Sequence, residues 1–269
     1  MNNPKISIIT PSFNQAPFLE RTIRSVLDQA YDNVEYIVID GGSTDGSVDI
    51  IRRYQDRIAY WVSEPDSGQA NAINKGLRLA TGEWIAWQNS DDVFFPGAFQ
   101  GLARAARRSP DAALLIGDIA LIDDSDRVLR DVRYVRPTYR SLLAEGMVLT
   151  NQAAFWRRRA HQDLGFLDER FVCGFDYDWF LRLTQRYPAA HTGEIWGGLR
   201  LHGHTKSTRM PEIFAAEYRR IRAGREAGSL TRHAYELRRL ILMLAGGRFG
   251  YVIRGIYRRI RGIPDVSVE

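Results

Sequence analysis

The chain has 269 residues, 45% of them hydrophobic, and a single cysteine, Cys173. It can bury a full core but cannot build a disulfide framework or a thiolate metal cluster, which points to a reducing, cytoplasmic setting. The net charge of +5 is unevenly held: residues 205–269 carry 14 Lys/Arg against 6 Asp/Glu, leaving 23 against 26 for residues 1–204. A slightly acidic main body argues against nucleic acid as a partner, no run approaches the roughly 20 apolar residues of a membrane span, and the N-terminus lacks a secretory leader pattern.

The first hundred residues alternate strand and helix patterns. Lys5 to Thr10 is a β-branched run closed by Pro11, and Pro17 opens a helix with Leu19, Ile23, Val26 and Leu27 on one face. Val34 to Ile39 reads as a second strand, followed by an amphipathic segment through Val48, Ile50 and Ile51. Ile58 to Val62 is a third, followed by a helix with Ala70, Ile73, Leu77 and Ala80, for which Ser67 is the expected N-cap and Gly82 the stop. Trp84 to Gln88 makes a fourth. Such alternation implies an α/β fold with a mostly parallel sheet sandwiched by helices.

Beyond it, Pro96 starts a helix to about Arg108, and Ala112 to Ile122 with Arg127 to Arg133 reads as a hairpin around Asp123 to Asp126. A mixed region follows, then a helix over Tyr177 to Tyr187. Two helical segments run from Pro211 to about Leu244, and Gly246-Gly247 separates them from a terminal segment, Phe249 to Ile263. Residues 1–204 read as one domain, with a donor half (1–110) and an acceptor half (111–204); residues 205–269 read as a basic helical extension.

Ligands of open parallel sheets bind outside the carboxyl ends of the strands. All four strands end there in polar clusters: Thr10-Pro11-Ser12-Phe13-Asn14, Asp40-Gly41-Gly42-Ser43, Glu64-Pro65-Asp66-Ser67-Gly68 and Asn89-Ser90-Asp91-Asp92. Gly41 and Gly42 allow the backbone either to approach a ligand or to make a tight turn, and Asp40 can accept a bond from a base or ribose. Phe13 offers an aromatic face. Asp91 and Asp92 would repel a diphosphate unless a divalent cation stood between them, so the motif predicts a metal-bridged diphosphate.

Ser7 to Asn14, Ile39 to Gly46 and Asn89 to Asp92, in this order and spacing, resemble the family-2 glycosyltransferases of the GT-A fold, a Rossmann-like α/β architecture. The resemblance is strong over residues 5 to about 100 and looser to about 207. It implies transfer of a sugar, usually with inversion, from a UDP-, dTDP- or GDP-sugar to a saccharide or lipid-linked saccharide hydroxyl, in surface polysaccharide or glycolipid assembly. Pro11, Phe13, Asn14 and Asp40 are then expected at the nucleoside, with Thr10, Gly42 and Asp66 beside them. The family's Asp-x-Asp motif falls on Asn89-Ser90-Asp91, with asparagine in place of the first aspartate. Asp91 is the expected ligand of Mg²⁺ or Mn²⁺, and Asn89, Ser90 and Asp92 complete that wall.

The same resemblance makes Asp176 the expected general base, with Asp178 as the competing carboxylate. Relatives commonly carry an acidic residue before this aspartate, where this chain has Phe175. His202, in Arg200-Leu201-His202, is the expected second metal ligand, and Arg200 and Lys206 are cationic partners for diphosphate. Asn151, Gln152 and Trp156 are candidates for an acceptor wall.

Two other functions fit parts of this pattern. A dinucleotide-dependent oxidoreductase shares the alternation, but G-x-G-x-x-G is missing after the first strand. A non-catalytic sugar-nucleotide or saccharide-binding protein would fit the replacements at Asn89 and Phe175. The mixture of aromatics, isoleucines and arginines in the terminal segment suits either a membrane surface at the inner face of the cell or packing on the domain.

Overall fold

The computed structural model describes residues 3–203, 205–225 and 229–260, so His204 and the last residues of the terminal segment, 261–263, lie outside the described residues. The first half follows the expected alternation: β1 (Ile6–Ser12), α1 (Ala16–Leu27), β2 (Val34–Asp40), α2 (Ser47–Arg53), β3 (Tyr60–Ser63), α3 (Gln69–Leu79) and β4 (Trp84–Trp87). The second half contains β5 (Val93–Phe94), α4 (Ala98–Arg108), β6 (Leu114–Ile122), β7 (Val128–Val132), α5 (Tyr139–Glu145), β8 (Ala154–Arg157), α6 (Arg158–Leu164), α7 (Phe175–Arg186) and β9 (Ala189–Arg200). Four helices close the described chain: α8 (Lys206–Arg209), α9 (Pro211–Arg222), α10 (Ser229–Ala245) and α11 (Phe249–Ile260).

One sheet unites the strands in the order β3-β2-β1-β4-β8-β6-β9-β5, with β7 paired to β6. β1 is parallel to β2 and β4, and β2 to β3. β8 runs antiparallel to both β4 and β6, which makes β6 parallel to β4, and β9 is parallel to β6. Six strands therefore end at one edge of the sheet, β9 among them. That is why Arg200 arrives beside loops from the first ninety residues.

The expected hairpin is present as β6 and β7, whereas β9 had no distinct signal in the sequence. Its glycines, Gly193, Gly197 and Gly198, break the apolar pattern. A Cβ at Gly197 would run into the Gln152 carbonyl, so this strand needs glycine to pass the chain beside it.

The core between sheet and helices is rich in aromatics. Trp87 stacks on Phe180 at 5.9 Å and meets Trp156 edge-on at 5.2 Å, and Trp156 meets Trp179 at 5.5 Å. Burying Phe180 alone contributes about 1.5–3 kcal/mol. This cluster pins α7 against β4 and so fixes the height of the α7 N-terminus over the strand ends.

Candidate active site

A cavity of about 540 Å³ opens at the carboxyl edge of the sheet, lined by residues from all four N-terminal loops, from 147–152, from the start of α7 and from residues 199–218. Of the expected site residues, Pro11, Phe13, Asp66, Asn89, Ser90, Asp91, Asp92, Asn151, Gln152, Asp176, Arg200 and Lys206 line it. Thr10, Asn14, Asp40, Gly42, Trp156, Asp178 and His202 are outside that lining.

The exclusions have plain causes. Thr10 is buried within β1 and accepts a bond from the Tyr36 hydroxyl at 3.0 Å. Asp40 is fully buried, and its carboxylate accepts from the Gly42 and Ser43 amides and from the Ser43 and Ser63 hydroxyls at 2.5–3.1 Å. It organises the loop on which Gly41 faces the cavity, with Gly42 at φ +84° turning the chain. Asn14 adopts φ 52°, and its side-chain oxygen accepts the Thr44 amide, tying the first loop to the second. Trp156 belongs to the aromatic core, because β8 directs it between β4 and α7. Asp178 pairs with Arg182 at 2.8 Å along α7. Ser67 does not cap α3; that position is held by Gly68, whose amide donates to Asp66.

At the end of β4 the chain reverses, with the Asp92 amide donating to the Asn89 carbonyl, and β5 then pairs antiparallel with β9. This brings the Arg200 amide to Asp92 Oδ1 at 2.8 Å, while Gln152 Nε2 and Asn89 Nδ2 donate to Asp92 Oδ2 at 2.7 and 3.0 Å. Burial, and then the neighbouring Asp91 carboxylate, push Asp92 up to about 8. Asparagine at position 89 donates to this buried group where a third carboxylate would face it. The departure from Asp-x-Asp thus has a local reason.

Arg200 is fully buried beneath the turn: it donates to the Asp91 and Asp123 carbonyls at 2.6 and 2.8 Å and pairs with Asp126 at 2.5 Å. Its guanidinium holds the backbone that carries Asp91. His202 packs on the Phe18 ring at 4.6 Å and sets Nε2 against Asp91 Oδ2 at 3.0 Å.

Among the described residues no group of three His, Cys, Asp or Glu is positioned to hold a metal ion. The Asp91–His202 pair nevertheless suits a divalent ion that takes its other ligands from water and phosphate. Neighbouring ligands on an octahedral ion with bonds of about 2.1 Å stand roughly 3 Å apart.

Asp176 sits across the cavity at the α7 N-terminus. Burial pushes its carboxyl up to about 7, against the opposing pull of the Tyr177 amide, which donates to Oδ1 at 2.6 Å. Phe175, which shares the cavity lining with Asp176, packs on Trp87 at 6.2 Å and carries the Lys206 ammonium over its ring at 5.9 Å. Lys206 donates to Gln69 Oε1 at 2.8 Å, and Gln69 in turn donates to Asn89 Oδ1 at 2.9 Å.

Sequence reasoning missed Gln69 as the link between these walls, and, although it placed a helix from Pro211, it missed that this helix, α9, reaches the cavity. Phe214 and Tyr218 of α9 line the cavity, and Glu217 accepts three backbone amides ahead of α7. The expected division after residue 204 thus separates β9 from cavity-lining Thr205, Lys206, Phe214 and Tyr218. Periodicity marks α9 as a helix but carries no signal of where it docks.

The model of Glycosyl transferase family 2 matches residues 7–165. An uncharacterised glycosyltransferase of Mycobacterium tuberculosis is 33% identical over 182 residues, 66% of this chain and 68% of that protein. A putative teichuronic acid biosynthesis glycosyltransferase, TuaG of Bacillus subtilis, is 44% identical over 92 residues, 33% of this chain and 36% of that one.

Among solved structures, S. aureus TarS 1-349 with UDP-GlcNAc superposes with a TM-score of 0.67 at 14% identity, covering 86% of this chain and 70% of that one. The mannosyltransferase PcManGT of Pyrobaculum calidifontis, with GDP-Man and Mn²⁺, gives 0.62 at 20%, covering 87% and 70%. With the strand order, the strand-end loops and a family match over more than half its length, this chain belongs to glycosyltransferase family 2 and is an enzyme of that family built on the GT-A fold.

Proposed function

We propose that the enzyme transfers a sugar, with inversion, from a nucleoside-diphosphate sugar to a hydroxyl of a saccharide or lipid-linked saccharide. The observation that carries this reading is one cavity with Asp91, tied to His202, and Asp176 both in its lining. The donors named for TarS and PcManGT, UDP-GlcNAc and GDP-Man, support the donor class. The name of TuaG supports a place in surface polysaccharide assembly.

In this reading the nucleoside lies along Pro11, Phe13, Gly41 and Asp66, with Asp40 and Asn14 shaping those loops. Asp91 and His202 hold Mg²⁺ or Mn²⁺, which when bound supplies positive charge against the departing diphosphate. Lys206, a cation whose pKa is lowered chiefly by burial, stands ready for the same oxygens. Asp176 takes the acceptor hydroxyl proton as the acceptor oxygen bonds the anomeric carbon and the bond to the nucleoside diphosphate breaks. Asn151 and Gln152 face the acceptor side. Their Nδ2 and Oε1 atoms are buried without a protein partner, as expected of groups that await a hydroxyl.

The catalytic unit in this proposal runs through α9, and the extension proper begins after it. The free, buried Cys173 suits a cytoplasmic enzyme. The test is a panel of UDP-, dTDP- and GDP-sugars, followed for hydrolysis and transfer with and without Mn²⁺. Retention of the anomeric configuration in the product would overturn the inverting chemistry, and no turnover of any donor would overturn the donor class.

A further inference from the structure

The last two helices turn apolar faces to solvent. On α11, Phe249, Ile253, Ile256 and Tyr257 are 58%, 64%, 53% and 53% exposed, at spacings that place them along one side. On α10, Leu237 and Ile241 are 57% and 55% exposed, with Leu240 and Leu242 beside them.

Other side chains of these helices, and Arg248 in the turn between them, anchor them to the domain. Arg248 donates to the Tyr134 carbonyl at 2.7 Å and pairs with the buried Asp118 at 3.2 Å. Arg239 pairs with Glu145 at 2.9 Å, Met243 is buried, and the Tyr251 hydroxyl accepts the Arg133 amide. The inward faces are thus committed to the domain, and the outward apolar faces are held in place rather than free to fold back. Soluble monomers rarely leave such contiguous apolar faces uncovered without a binding role.

Charge identifies what covers them. Residues 229–260 contain seven arginines against one glutamate, with no lysine or aspartate; Arg239 and Arg248 face the domain and Arg232 pairs with Glu236, and the four others remain as the basic excess of the segment. Arg254 follows Ile253 directly; its side chain is 60% exposed and stands 3.9 Å from the Asp131 carboxylate, which leaves most of the guanidinium open to solvent. A second copy of the chain would bring this positive charge against itself. An apolar face flanked by arginines matches a surface that is both anionic and oily, the headgroup boundary of an acidic phospholipid bilayer. Among the described residues no helix is long and apolar enough to cross a membrane, so the contact is one of lying in the interface.

We propose that α10 and α11 form a docking face for an anionic phospholipid bilayer, with Phe249, Ile253 and Ile256 entering the headgroup boundary and Arg254 meeting lipid phosphate. The inference rests on these two helices and is independent of the transfer chemistry assigned to the cleft.

The test is co-sedimentation of the full chain with phosphatidylcholine vesicles and with vesicles that also contain phosphatidylglycerol. The expected result is binding to the second and much weaker binding to the first, declining as salt is raised. Ile253→Glu with Ile256→Glu should weaken binding at least about tenfold, and Arg254→Glu by about fivefold or more, each basic residue contributing about 1 kcal/mol. Thermal unfolding and donor hydrolysis should be unchanged in both variants. Failure of the folded wild-type chain to bind anionic vesicles overturns the proposal. So does a dimer, seen by analytical ultracentrifugation, that the isoleucine substitutions dissolve while lipid binding stays unaltered.

Discussion

Glu217 Oε2 accepts the Gly174 amide at 2.6 Å, two residues ahead of Asp176. The same carboxylate accepts the Cys173 and Val172 amides at 2.8 Å, so one side chain of α9 gathers the backbone leading into α7. Negative charge at a helix N-terminus is also favoured by the helix dipole.

Glu217 is accordingly a positioning residue for Asp176. Glu217→Ala leaves three backbone donors without this partner and should lower kcat about 10- to 100-fold with KM for the donor changed less than about threefold. Glu217→Gln, which keeps an acceptor oxygen, should recover part of the loss. Equal losses in kcat and donor affinity, with no recovery in Gln, would mark a general folding defect instead.

The proton-acceptor role proposed for Asp176 predicts a pH limb. With its carboxyl pushed up to about 7, kcat/KM should rise with pH below that value and level off above it. Asp176→Asn should bind donor normally and turn over about 10²- to 10⁴-fold more slowly. Asp178→Asn should retain the limb, since Asp178 is engaged with Arg182.

The Asp91–His202 pair predicts metal-dependent donor binding. Asp91→Ala and His202→Ala should each abolish the gain in nucleoside diphosphate affinity on adding Mn²⁺, measured by calorimetry. Turnover in Asp91→Ala should fall by at least about 100-fold, the scale of several kcal/mol of charge stabilisation. Full activity of Asp91→Ala in Mn²⁺ would remove this residue from the site.

Phe13 is 60% exposed at the mouth of the cavity, near Gly41 and Asp66. If it stacks on the donor's base, Phe13→Ala should weaken nucleoside diphosphate binding about tenfold, as expected for 1–3 kcal/mol of stacking. Fold stability should not change. An unaltered dissociation constant would assign the base elsewhere.

Restoring the more usual aspartate at position 89 should harm this chain. Asn89→Asp replaces a donor to the buried Asp92 with a third carboxylate, and a cost of about 1–3 kcal/mol at pH 7.5 is expected in urea unfolding. The wild-type sign follows from Asp92, raised from 3.8 to about 8. Between those values the folded state keeps a proton the unfolded state has lost, so this group's contribution falls as pH rises and levels off above about 8. The penalty of Asn89→Asp should shrink at pH 5. A pH-independent penalty would mean that packing, not charge, sets it.

Much of the site was legible in the chain. Strand and helix periods alternate cleanly up to Trp87, and each strand ends in polar residues that parallel pairing must bring together, so Asp66, Asp91 and Phe13 could be located from order alone. Asp176 was named by resemblance, and it lines the cavity. Asp40 lies outside the cavity lining and Arg200, though in it, commits its guanidinium to the backbone; a charged residue beside a loop looks the same in sequence whether it faces a ligand or holds the chain. Four bonds around Asp40 and three around Arg200 decide that, and their partners lie up to 109 residues away.

By itself the sequence determined the local elements, the parallel first half and the identity of the groups available at its edge, because these follow from short-range periodicity and from side-chain chemistry. Only the tertiary structure decided which of those groups face the cavity. It also set the burial of Asp92, the poorly solvated setting of Asp176, the clasp of Glu217, and the two faces of α11, one anchored and one bare. Those depend on contacts between residues far apart in the chain, and burial, which sets both charge state and exposure, exists only once such contacts form.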